Sequence, residues 1–110
     1  MPELSEKKFV PCSIGASPLS AKEAKKFLLE ITGWELIENA KKIRKEFKFV
    51  DFMEAMNFVN SIAAVAESEG HHPDFSVSYN KVIVTIFTHK IGGLHENDFI
   101  LAAKIDKIRK

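Results

Sequence analysis

Phe75-Ser76-Val77-Ser78-Tyr79-Asn80-Lys81-Val82-Ile83-Val84-Thr85-Ile86-Phe87-Thr88-His89 is the stretch that decides the fold. Phe75, Val77 and Tyr79 alternate with Ser76 and Ser78, the two-residue period of a strand with one apolar face. After a turn at Asn80-Lys81, the near-continuous apolar run Val82 to Phe87 reads as an inner strand, covered on both faces and extending to His89. So short a connection joins antiparallel neighbours.

Working outward, a second hairpin lies upstream. Trp34 to Ile37 and Ile43 to Phe49 flank the polar turn Glu38-Asn39-Ala40-Lys41. In the second of these strands Ile43, Lys45, Phe47 and Phe49 point one way and Arg44, Glu46 and Lys48 the other, so one face is buried. Between the hairpins, Asp51 reads as the N-cap of a helix to about Ser68, with Phe52, Ala55, Met56, Val59, Ile62, Ala63 and Ala66 in helical period. Ahead of the first hairpin, Ser20 and Glu23 form a capping box for a helix with Ala24, Phe27, Leu28 and Ile31 as its stripe and Gly33 as its stop. After Gly92-Gly93 a last helix is expected from about Glu96 to Ile108, with Leu101, Ala102, Ile105 and Ile108 inward. The order αββαββα predicts an α+β two-layer sandwich, a four-stranded antiparallel sheet with three helices on one face. Residues 1–18, with Pro2, Pro11, Gly15 and Pro18, read as an N-terminal arm ahead of a domain over residues 19–110.

At 110 residues and 45% hydrophobic content the chain supports one core. A formal charge of +1, from 16 basic and 15 acidic residues, lacks the basic footprint of a protein that binds nucleic acid directly. A single cysteine, Cys12, excludes an internal disulfide and reads as a small apolar side chain of the arm. The start Met1-Pro2-Glu3-Leu4-Ser5 lacks a signal-peptide layout and no apolar run is long enough to span a bilayer, so a cytoplasmic location without membrane association is expected.

The chemistry concentrates in Glu67-Ser68-Glu69-Gly70-His71-His72-Pro73, followed by Tyr79, His89 and Asp98. Imidazoles exchange protons near neutral pH, so histidines converging from a helix end and a strand end can serve acid and base steps. Taken singly, each fits an ordinary helix-end or strand-end residue. Jointly they point to a site. A zinc site built from His71, His72, His89 and Glu67 is the sharper rival, but adjacent histidines rarely aim at one ion and the spacing fits no familiar zinc motif. Tyr79, Phe47, Phe49, Phe75 and Phe87 read as sheet packing.

With these residues spaced as they are, and with Gly33-Trp34, Phe47-x-Phe49, Tyr79-Asn80-Lys81-Val82 and Thr88-His89 around them, the chain resembles the pterin-4a-carbinolamine dehydratases from Leu19 to about Ile105. The resemblance implies a 4a-hydroxytetrahydrobiopterin dehydratase, removing water from a 4a-hydroxytetrahydropterin to give quinonoid dihydropterin after an aromatic amino acid hydroxylase has acted. It implies no cofactor and no metal. It makes His71 and His89 the acid/base pair and His72 chiefly a ligand of the ring, with Trp34 near the pterin edge. Glu67 would orient an imidazole, Thr88 and Asp98 would line the substrate site, and Pro73 would fix the direction in which the tandem histidines leave the helix. Asp98 reads equally as a helix cap. His95 departs from the family pattern of Ser or Thr at the N-cap of the last helix, and as a poorer cap it is expected to yield that place to Glu96 or Asn97. It then reads as a solvated loop residue or a fourth imidazole near the pocket. Gly70 departs too, standing where some relatives carry an acid.

Met53, Phe58, Ala64 and Val65 make the central helix apolar beyond a single stripe, so a second surface is expected to be covered by another subunit, giving a homodimer or homotetramer through residues 52–66. Some relatives act as dimerisation cofactors of a hepatocyte nuclear factor, so a protein-binding scaffold is the alternative class. A dehydratase of molybdopterin metabolism is another.

Overall fold

The structure, a computed structural model, describes residues 18–109; Cys12 and all of the arm except Pro18 lie outside the described residues. Its elements are α1 (Ala21–Leu28), β1 (Glu35–Ile37), β2 (Lys42–Lys48), α2 (Phe52–Glu69), β3 (Asp74–Ser78), β4 (Lys81–Ile86), a 3-10 turn (His89–Ile91) and α3 (Glu96–Arg109). The four strands form one antiparallel sheet in the order β1-β2-β4-β3. This is the α+β two-layer architecture that the patterning predicts.

Period-two register explains which side the helices take. Ile43, Phe47, Val82, Val84 and Ile86 are buried on one face, where Ile43 pairs with Ile86 and Phe47 with Val82. Against them pack Ala55, Phe58 and Ile62 of α2 and Phe99, Leu101, Ala102 and Ile105 of α3, in one continuous core. The other face carries Arg44, Glu46 and Lys48 opposite Thr85, Ile83 and Lys81. β4 is therefore central through its two strand neighbours, and only one of its faces is covered by helices. That corrects the expectation of a strand covered on both faces: Ile83 and Thr85 are only half-buried.

Three local expectations also change. β4 ends at Ile86, so His89 stands in the 3-10 turn and not on a strand. Ser78 pairs with Lys81, placing the connecting turn at Tyr79-Asn80, one residue earlier than expected, with Tyr79 at φ 50°. Asn80 holds that turn by donating Nδ2–H to the Phe49 carbonyl at 3.0 Å. α1 stops at Leu28 and Gly33 lies beyond it, in the link to β1, although the Ser20/Glu23 capping box forms as read. The backbone and hydroxyl of Ser20 that Glu23 engages hold the Glu23 carboxyl below its ordinary value.

α2 begins at Asp51, whose side chain accepts from the Glu54 N–H at 2.9 Å. Its buried seam is Ala55, Phe58, Ile62 and Ala66. Phe58 is thus core and not surplus, its ring centroid lying 4.7 Å from that of Phe47 and 5.0 Å from that of Phe49. Phe52 and Ala63, read as stripe positions, face outward instead with Met53 and Ala64.

Candidate active site

The end of α2, the end of β4 and the start of α3 meet at one place. Gly70 takes the left-handed conformation, φ 66°, after α2; its N–H bonds to the Glu67 carbonyl and the His71 N–H to the Ala66 carbonyl at 3.0 Å. These two bonds form a Schellman motif, in which a Cβ would be strained. The glycine that departs from some relatives is therefore what turns the chain so that His71 comes over the start of α3.

There His71 Nε2 lies 2.5 Å from Asp98 Oδ1. Asp98 is 0% exposed, and its Oδ2 accepts from the Thr88 hydroxyl at 2.8 Å and from the His95 backbone N–H at 2.8 Å. A carboxylate only accepts, so Nε2 of His71 carries the proton. Thr88 is buried with its hydroxyl committed to the carboxylate. Asp98 thus holds an imidazole and also the N–H of the residue before the helix.

His89 is carried on a short closed loop. Thr88 N–H donates to the Gly93 carbonyl at 2.8 Å and Gly93 N–H returns to Thr88, with the 3-10 turn between them. Gly93 is required sterically, because a Cβ there would come within 2.6 Å of Pro18. The exposed His89 ring sits against Phe87, centroids 4.1 Å apart. Among the described residues no hydrogen bond ties the His89 imidazole to Asp98. His72 is exposed and its Nε2 meets Glu67 Oε1 at 2.8 Å, while the adjoining Pro73 is buried. Both partners of that contact face solvent, so it orients a ring more than it stabilises the fold.

Trp34 stands apart from this cluster. It is buried against Phe47, and its Nε1–H donates to Asp106 Oδ2 at 3.0 Å. The other oxygen of Asp106 takes Lys45 Nζ at 2.8 Å. Asp106 lies two turns along α3 from Asp98, so this bridge joins the helix to Trp34, just ahead of β1, and to β2, away from His71.

His95 is half-buried and caps α3: its Nδ1 accepts from the Asn97 N–H at 3.1 Å. The His95 N–H in turn donates to Asp98 Oδ2, the return half of a capping box, while the imidazole takes the N–H of the second helical residue and not of the third. The expected transfer of the cap to Glu96 or Asn97 does not occur, and the helix starts at Glu96. The sequence did carry the signal, in the spacing His95-x-x-Asp98. No group of three or more His, Cys, Asp or Glu side chains among the described residues is arranged to hold a metal ion, and no helix is long and apolar enough to cross a membrane.

Fold and site together define a small α+β domain with a half-buried imidazole held on a buried carboxylate and further imidazoles on the neighbouring segments. Residues 17–108 match the family described as Pterin 4 alpha carbinolamine dehydratase, and the chain belongs to that family. It is 49% identical over 108 residues to a protein of Alkaliphilus metalliredigens provisionally named pterin-4-alpha-carbinolamine dehydratase, covering 97% of this chain and 96% of that one. A protein of Methylococcus capsulatus with the same provisional name is 46% identical over 105 residues, covering 96% and 92%. The crystal structure of a transcriptional coactivator/pterin dehydratase from Brucella melitensis superposes with a TM-score of 0.81 at 34% identity, covering 86% of this chain and all of that one (100%). A pterin dehydratase-like RuBisCO assembly factor of the alpha-carboxysome, 22% identical with a TM-score of 0.61 over 69% of this chain and 88% of that one, shares the fold.

Proposed function

We propose that this chain is a 4a-hydroxytetrahydropterin dehydratase in the cytoplasm, acting by histidine acid/base catalysis without cofactor or metal and recycling the pterin of an aromatic amino acid hydroxylase. The observation that carries the reading is His71 held through Nε2 by the buried Asp98 carboxylate. In the reaction the C4a–O bond breaks as an acid protonates the leaving hydroxyl. A base takes the proton from N5, the electron pair forms the C4a=N5 bond, and water departs. An imidazole fixed in one tautomer can exchange a proton at its other nitrogen without reorienting. His71 and His89 are assigned these two transfers, and His72, oriented by Glu67, a binding contact to the ring. Losing a transition-state group lowers kcat, whereas losing a uniform binding contact raises KM. His71→Ala and His89→Ala should each cost about 10²-fold or more in kcat, and His72→Ala should act on KM. Wild-type turnover in either of the first two variants, on both C4a stereoisomers, would remove that residue from the assignment.

We also infer a homodimer or homotetramer through residues 52–66. Phe52 and Met53 are 48% and 64% exposed on a helix whose opposite face already fills the core, leaving apolar area for a second copy to cover. The same face suits the second reading, a protein-docking role, in keeping with the description of the Brucella relative as a coactivator. Loss of partner binding in a variant that keeps dehydratase activity would assign the helix face to docking.

A further inference from the structure

We propose that His95 is a positioning residue for His71: as the Nε2–H tautomer its imidazole caps α3 and thereby fixes the carboxylate that orients His71. The proposal rests on the reading of His71 as an acid/base group.

The tautomer follows from the partner. A backbone N–H can only donate, so the 3.1 Å contact from Asn97 N to His95 Nδ1 requires an unprotonated Nδ1, and in the neutral ring the proton then sits on Nε2. That contact takes up one of the N–H groups a helix start leaves over. Asp98 lies one residue further along the same turn, and its own N–H donates to the His95 carbonyl at 3.0 Å. Three contacts thus run between His95 and the two residues Asn97 and Asp98: side chain to the Asn97 N–H, carbonyl to the Asp98 N–H, and N–H to the Asp98 carboxylate.

These contacts decide where Asp98 points. With Oδ2 held by the His95 N–H and the Thr88 hydroxyl, Oδ1 is presented to His71. Both imidazoles are therefore joined through the first turn of α3, one as its cap and one as the reader of its carboxylate. Productive catalytic geometry tolerates displacements of only about 0.5 Å and 10–20°. A first turn without its cap frays on that scale, and the effect reaches His71 with no contact between the two rings. Asn and Ser can replace the cap and Ala cannot.

The test uses the full chain. Nitrogen-15 NMR of the wild type should find Nδ1 of His95 unprotonated and Nε2 of His71 protonated. His95→Ala should lower kcat about fivefold, equivalent to about 1 kcal/mol at 1.36 kcal/mol per decade, with KM little changed. In the same variant the Nε2–H population of His71 should fall, and His95→Asn should restore both. A merely structural cap would lower melting temperature while leaving kcat and the His71 signature of the folded protein unmoved; that result overturns the proposal. If His95→Ala does not fold, a proton on Nδ1 of wild-type His95 overturns it equally. A wild type without dehydratase activity would fail the functional reading instead, and the response of the His71 signature to His95→Ala and His95→Asn would still decide the positioning.

Discussion

Replacing Asp98 by Asn changes one oxygen into an NH2 group while keeping size and shape, and the surroundings dictate how the amide must sit. Oδ2 faces a backbone N–H, from His95, that cannot reverse its role, whereas Oδ1 faces an imidazole that can. The amide oxygen therefore keeps the Oδ2 position, and the NH2 group turns to His71. A donor now meets Nε2, so the ring must move its proton to Nδ1, the nitrogen assigned to catalysis. The folded protein survives with the wrong tautomer. The hydrogen bonds from His95 and Thr88 pass from a charged acceptor to a neutral one, at about 1 kcal/mol each, a loss of about 2 kcal/mol of stability. Turnover should fall by about 10²-fold or more, the scale of a general acid/base group. Stopped-flow absorbance, at a temperature where circular dichroism shows native structure, gives kcat, and nitrogen-15 NMR gives the His71 tautomer. A folded Asp98→Asn protein with wild-type turnover would refute the reasoning, as would unchanged Nε2 protonation of His71.

Two further outcomes are expected. Met53→Glu, at an outward position of α2 that leaves the core intact, should shift the mass in light scattering toward a single chain, while a wild type already monomeric at micromolar concentration would remove the proposed interface. Exhaustive chelation should leave the dehydration rate unchanged, and loss of activity restored by added zinc would turn the histidines into ligands.

Element order was legible because the helix starts and the strand alternation carry local chemical signals. Ser20 with Glu23 and Asp51 supply caps, and the alternation in Ile43 to Phe49 fixes a strand with one buried face. What stayed hidden depends on contacts distant in sequence. α2 is apolar almost all round, so its period alone could not show that Phe58, and not Phe52 or Ala63, turns inward; the rings of Phe47 and Phe49 decide that. The end of β4 at Ile86 follows from the pairing of Thr88 with Gly93, which no strand period announces. Within the site, the residue types and their clustering were readable, but the partnership of His71 with Asp98 across 27 positions was not. His95 was misread as a weak cap because capping scales rank side chains by their average, whereas here a half-buried imidazole meets an N–H in fixed geometry.

Dehydratase activity itself is read by stopped-flow absorbance on freshly generated 4a-hydroxytetrahydropterin, with and without the wild-type protein. Its conversion to quinonoid dihydropterin should accelerate in proportion to protein concentration and saturate with substrate. Decay at the uncatalysed rate in the presence of folded protein would contradict it.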